Sequence, residues 1–297
     1  MTFTAEVKNE IARQELNLIE NRNLLLGYIT LNGYFNNYNL EINLENPIVA
    51  RKLFKTLKYC YNKIPKITVR IQKKFKKKTT YIFNIKDENH MIQEDLKNVM
   101  LDDIESKVSF VKGVFLATGS INNPQKSYHL ELLFNTEEEY KLAYELLRSL
   151  NFNFKYIKRE KKHMLYLKAG EEISDFLKII GVVNSLFKYE DIRIYRDHKN
   201  MVNRLNNCEQ ANFEKSMKAS ENQIEIINYL KKNDYYSLLD EKTRLVMDLR
   251  LKFPEASYQL LSEYLSSELG TKVTKSYINH HLRKINEFYL RIINKEK

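Results

Sequence analysis

The sequence predicts an α+β protein in which two copies of an αββαββα unit precede an all-helical unit. Three observations carry this reading. Residues 23–33 (NLLLGYITLNG) and 109–119 (SFVKGVFLATG) share an apolar G-x5-G frame, so Gly27, Gly33, Gly113 and Gly119 account for four of only seven glycines. The same order of patterns follows each frame, which marks an internal repeat. From about residue 206 the strand signals fade and the chain becomes strongly helical.

In the first copy, YNLEINL (38–44) alternates as a strand and IVARKLFKTLKYCY (48–61) is periodic as a helix. KITVRI and TTYIFNI then flank QKKFKKK as a hairpin, and HMIQEDLKNVMLDDI (90–104) closes the unit as a helix. The second copy repeats the order. YHLELLF (128–134) is the strand, and TEEEYKLAYELLRSL (136–150) is a helix whose Thr136 caps three glutamates placed well for the helix dipole. FKYI and HMLYLKA flank KREKK, and EEISDFLKIIGVVNSLF (171–187) is read as one closing helix.

Further on, DEKTRLVMDLRLKF (240–253) is a helix stopped by Pro254. Ser257 caps YQLLSEYLSSEL (258–269), Gly270 closes it, and Thr274 starts KSYINHHLRKINEFYLRI. The expected domains are 1–205, with halves of about 1–105 and 106–205, a helical connector at 206–220, and a final domain at 221–297.

With 297 residues and 43% apolar content, the chain can bury a proper core. Lys and Arg total 49 against 38 Asp and Glu, a net charge of +11 that favours phosphate-rich partners. Cys60 and Cys208 are far apart and have no ligand spacing, which fits a reducing cytoplasm. The N-terminus lacks a secretion signal, and no apolar run approaches the roughly 20 residues that cross a bilayer. His129, His163, His198, His280 and His281 make no metal-binding spacing, and no glycine-rich phosphate loop is present. Neither a metal, a cofactor nor a nucleotide is therefore expected, and no membrane partner.

The repeated frames resemble the LAGLIDADG homing-endonuclease fold, in which two such helices pack along a pseudo-two-fold axis. Gly27, Gly113 and Ala117 are small enough for close backbone approach there. In that family the residue before the final glycine of each frame is an acid, and the two acids hold catalytic Mg²⁺. Here the positions are Asn32 and Thr118. An amide and a hydroxyl carry no charge and bind a hard cation poorly, so catalytic residues are expected to be absent. Asp102 and Asp103, the nearest paired acids, are placed at the end of a different helix, facing solvent.

A degenerate repeat of this kind followed by a helix-turn-helix resembles the WhiA family of bacterial regulators. The blocks that carry the resemblance are FTAEVKNEIAR (3–13), FVKGVFLATGSINNPQKSYHLELLF (110–134), GEEISDFLKIIGVVNSLFKYEDIRI (170–194), NRLNNCEQAN (203–212) and SYINHHLRKINE (276–287). The resemblance implies a cytoplasmic, nucleoid-associated regulator that binds double-stranded DNA. It further implies roles in transcription, cell division and chromosome segregation, with protein partners in those processes. Tyr277 departs from the family, which usually has a glycine there.

In the last helix Ile278, Leu282 and Ile285 fall on one face and are expected in the core. Lys275, Ser276, Tyr277, Asn279, His280, Arg283 and Lys284 are the candidate recognition residues, since Asn and Arg suit bidentate contacts with adenine and guanine. The same face also reads as the basic, solvated side of an ordinary helical domain. Lys73, Lys74, Lys76, Lys77, Lys78, Lys158, Arg159, Lys161 and Lys162 at the hairpin tips are candidate phosphate contacts. They read equally as charges that blunt strand edges. Two rival functions remain at this point: a divergent Mg²⁺-dependent endonuclease, and a chromosome-tethered interaction scaffold.

Overall fold

The computed structural model describes residues 1–72, 78–160 and 162–296. The chain divides into two compact units, Met1–His198 and Lys199–Lys297. In the first unit a leading helix, α1 (Phe3–Arg13), precedes two copies of one arrangement. The first copy is α2 (Leu18–Asn32), β1 (Gly33–Asn36), β2 (Asn39–Leu44), α3 (Pro47–Tyr61), β3 (Lys66–Gln72), β4 (Lys78–Lys86) and α4 (Met91–Lys97). The second is α5 (Ile104–Thr118), β5 (Gly119–Ile121), β6 (Leu130–Phe134), α6 (Glu137–Ser149), β7 (Lys155–Arg159), β8 (Lys162–Leu167) and α7 (Gly170–Ile179).

Each copy makes one antiparallel four-stranded sheet, in the order β1-β2-β4-β3 and β5-β6-β8-β7. The registers match as well: Gly33 pairs with Ile42 and Ile42 with Phe83, while Gly119 pairs with Leu132 and Leu132 with Leu165. Ile42, Phe83, Leu132 and Leu165 are all buried, so each glycine that ends a frame opens a strand at the same place in its core. The LAGLIDADG-like repeat read from the sequence is thus present as two αββαββα halves.

α2 and α5 form the seam between the halves. A Cβ built on Gly27 would lie 2.2 Å from the carbonyl oxygen of Phe110, and one on Gly113 would lie 2.1 Å from that of Leu24. Backbone meets backbone at both points, which only residues without a side chain permit. Beyond their polar first turns both helices are largely buried, from Leu24 to Ile29 in α2 and from Val108 to Leu116 in α5.

Two helix boundaries differ from the sequence reading. The helix read at 90–104 ends at Lys97, because Asp103 starts the next one: its carboxylate accepts from the Ser106 amide at 2.7 Å. Asp103 is therefore exposed, but it is the N-cap of the second seam helix rather than the end of another. The helix read at 171–187 is two helices. Gly181 takes φ +72°, and the turn it makes separates α7 from α8 (Val183–Lys232). Glu10 of α1 caps α8, accepting from the amides of Asn184 at 2.8 Å and Ser185 at 2.9 Å.

α8 is 50 residues long, so 206–220 lies within a single helix that continues into the second unit. There its last turns join a 3-10 turn (Tyr235–Leu238), α9 (Glu241–Lys252), α10 (Tyr258–Leu269) and α11 (Lys275–Glu296). Ile227, Leu230, Val246, Met247, Leu261, Leu265, Ile278 and Leu282 form the core of this unit. Ser257 caps α10 and Gly270 closes it in the left-handed conformation. Arg250 is buried and donates to the Ala256 carbonyl at 2.7 Å, bracing the turn between α9 and α10. Among the described residues no helix is long and apolar enough to cross a membrane.

Gly113→Ala is expected to lower stability by about 3 kcal/mol, because the added methyl meets backbone that cannot move independently of α2. Gly270→Ala meets nothing within 4 Å and carries only the left-handed strain, about 1 kcal/mol. Urea denaturation followed by far-ultraviolet circular dichroism distinguishes the two. Equal losses would show that the seam relaxes freely.

Candidate nucleic-acid interface

The C-terminal ends of α2 and α5 bring Asn32 and Thr118 to one pole of the seam. Asn32 donates through Nδ2 to the Ala117 carbonyl across the seam at 3.3 Å and to the Tyr28 hydroxyl at 3.3 Å. Thr118 donates to the Val114 carbonyl of its own helix at 3.3 Å. Tyr28 in turn donates to the Asn43 carbonyl at 3.1 Å, and burial pushes its hydroxyl up to about 12. Lys8 of α1 sets its ammonium 5.9 Å from the centre of the Phe115 ring, in the last turns of α5, and burial lowers it to about 8. This set consists of an amide, hydroxyls and carbonyls already paired within the fold, with the Lys8 ammonium beside α5 and one carboxylate, Glu45, whose charge acts on Lys8 and Tyr28. A single carboxylate beside an ammonium fits Mg²⁺ poorly, since that ion needs several oxygen ligands including charged ones. Among the described residues no three His, Cys, Asp or Glu side chains gather as a metal site.

In the second unit the three helices α9, α10 and α11 place the N-terminal half of α11 at the surface. Ile278, Leu282 and Ile285 are buried, which fixes the rotation of the helix. Lys275, Ser276, Asn279, His280, Arg283 and Lys284 are exposed as a consequence. Tyr277 is half-buried; it packs on the core, with its ring 4.4 Å from that of His281.

α11 is also pinned to α9. Asp240 caps α9 by accepting from the Thr243 amide at 2.8 Å and makes an ion pair with Lys284. The Lys284 ammonium and the Thr243 amide together hold that carboxyl well below the usual carboxylate range. Thr243 shares a hydrogen bond of 2.9 Å with Nδ1 of the buried His281, whose pKa burial lowers. Lys284 is therefore engaged within the protein, whereas Arg283 makes only an exposed contact with Glu287 at 3.4 Å.

Asn279 and Arg283 border a groove of about 190 Å³ whose other wall includes Asn222 and Gln223 of α8. Gln223 donates to the Tyr258 hydroxyl at 2.6 Å. The sequence did not single out the two amides: they sit within a long helical run, and only the fold brings them beside α11.

At the β7–β8 tip, Lys158, Arg159 and Lys162 are exposed on the paired strand ends, with Glu160 at φ +48° in the turn. Lys161 lies outside the described residues, as do Lys73, Lys74, Lys76 and Lys77 of the other tip and the side chain of Lys78.

Comparison with known proteins covers both units. Residues 10–101 match the WhiA N-terminal LAGLIDADG-like domain, 107–199 the WhiA LAGLIDADG-like domain, and 202–289 the WhiA C-terminal HTH domain. A probable cell division protein WhiA of Enterococcus faecalis is 35% identical, over 97% of each chain. Its counterpart from Bacillus cytotoxicus is 37% identical, over 97% of this chain and 96% of the relative. Among solved structures, full-length DUF199/WhiA from Thermatoga maritima matches with TM-score 0.62 and 28% identity, covering 98% of this chain and 99% of that one.

Replacing Asn279 or Arg283 by alanine is expected to weaken binding to a specific duplex by about 1–3 kcal/mol, measured by gel shift at fixed salt. Parent-like binding by both variants would remove α11 as the reading helix. Neutralising Lys158, Arg159 and Lys162 together should flatten the plot of log K against log salt, by about 0.9 for each phosphate no longer neutralised. An unchanged slope would leave these residues as solvated strand ends.

Proposed function

The chain belongs to the WhiA family, and on that premise we propose that it is a sequence-specific DNA-binding regulator of cell division and chromosome segregation. It acts on double-stranded DNA in the cytoplasm, at the nucleoid, and controls transcription there. The observation that carries this reading is the face of α11, where an amide and a guanidinium, Asn279 and Arg283, stand exposed on a helix whose rotation the core fixes. A helix-turn-helix directs that part of its second helix at base edges in the major groove, and these side chains match adenine and guanine there. Asn222 and Gln223 add hydrogen-bonding capacity beside them. The charge of +11 supplies attraction to phosphates regardless of sequence.

The first unit serves this function without cutting DNA. Asn32 and Thr118 stand where metal-binding acids would be needed, and neither can activate water. Its outer surface is available for phosphate contacts or for protein partners in transcription or cell division. The scaffold role has one specific observation in its favour: Ile67, Val69 and Ile71 of the edge strand β3 are all exposed on one side. No cofactor or nucleotide enters the proposal.

Purified protein incubated with supercoiled plasmid and Mg²⁺ or Mn²⁺ is expected to retard the plasmid and leave it supercoiled. Metal-dependent nicking that disappears when Asn32 and Thr118 are replaced would overturn the non-cleaving assignment. Mapping bound chromosomal sites, together with transcript changes on depletion, tests the regulatory part. A bound set without shared sequence would leave the scaffold reading.

A further inference from the structure

A cleft of about 660 Å³ opens among α1, α2 and α3, with no strand residue in its lining. Arg13, Arg51, Lys52 and Lys55 face it, opposed by the single carboxylate of Glu15. None of these four cations forms an ion pair within the described residues. Lys112 of α5, only 8% exposed, lies close enough to Lys52 to repel it, and burial lowers the pKa of both. Glu15 in the lining and Glu20, whose charge acts on Lys52 and Lys112, leave the cations in excess, and a concave surface of this kind concentrates anions.

Gln14 lines the cleft and ties it to the turn at Gly181. Its Nε2 donates to the carbonyls of Ile180 at 3.0 Å and Gly181 at 2.9 Å, and its backbone carbonyl accepts from Lys52 Nζ at 3.0 Å. The amide is thereby fixed in orientation. Its Oε1 is buried with no hydrogen-bond partner, a rare condition for a buried acceptor.

We propose that this cleft binds a phosphate-bearing ligand, with Arg51, Lys52 and Lys55 holding the phosphate. Arg and Lys side chains replace the glycine-rich loop that the sequence lacks. Tyr59, exposed on the rim, offers a ring face to the remainder of the ligand. Because Gln14 also holds the turn at Gly181, an occupant bears on the segment from which α8 starts.

Isothermal titration of the full chain with inorganic pyrophosphate, at constant ionic strength, tests the site. One saturable event is expected, at least tenfold weaker in Arg51→Gln/Lys55→Gln. It should change less than twofold in Lys58→Gln/Lys66→Gln, which removes the same charge outside the cleft. Circular dichroism confirms that both double variants fold, and pyrophosphate should slow amide exchange at residues 180–182. Absence of saturable binding, or equal loss in the two double variants, overturns the proposal. A short duplex added in competition separates the sources of phosphate. Displacement of pyrophosphate, with duplex affinity lost in Arg51→Gln/Lys55→Gln, assigns the site to nucleic-acid backbone. Unchanged duplex binding assigns it to a free phosphorylated molecule.

Discussion

The meeting of two backbones at Gly27 and Gly113 is the constraint on which the first unit depends. A side chain at either position would overlap a carbonyl oxygen of the opposite helix, so the seam closes only with hydrogen at both. Close packing along the seam sets where α2 and α5 end, and those ends set where β1 and β5 begin. The matched registers of the two sheets follow: each terminal glycine pairs with a buried residue of the second strand, Ile42 in one half and Leu132 in the other. Duplication of the frame thus duplicates the sheet without further instruction. α1 is then fastened to the start of α8 by Glu10, and the turn before α8 is held by Gln14.

The seam places the demands of packing and of end-of-helix chemistry at different positions. Close approach is a demand on the middle of each helix, and metal binding is a demand on its last residue. The two can vary separately. At the pole, Asn32 is tied to the opposite helix through the Ala117 carbonyl, a contact that a carboxylate could not make, since it has no proton to donate. The amide there supplies a hydrogen bond that holds the halves together.

Much of this was legible in the sequence because its signals are local. The glycine frames, the alternating strands, Thr136 with Glu139, and Ser257 with Gly270 all act within a few residues. Boundaries set by distant partners were not. The turn at Gly181 depends on a left-handed residue held by Gln14, far away in the chain, so 171–187 read as one helix. Asp103 gives an N-cap signal, yet it follows a run of helix-compatible residues and was absorbed into the preceding element. The exposed face of α11 was legible through its core side, since Ile278, Leu282 and Ile285 are buried and fix the helix rotation. That Lys284 is drawn to Asp240, and that Asn222 and Gln223 border the same groove, depends on helices packing together.

Those contacts divide the work along α11. An exposed i,i+4 pair such as Arg283–Glu287 contributes only about 0.3–0.5 kcal/mol, so Arg283 can leave it for a base edge at little cost. Lys284 is differently placed, because its partner Asp240 also caps α9 and the pair locks two helices in one orientation. Releasing Lys284 to a phosphate would loosen the element that aims Asn279 and Arg283. On the proposed reading, Arg283 is the side chain free to turn to a base edge, while Lys284 is held to α9. The buried Thr243–His281 contact reinforces the aim, since it joins α9 to α11 behind the exposed face.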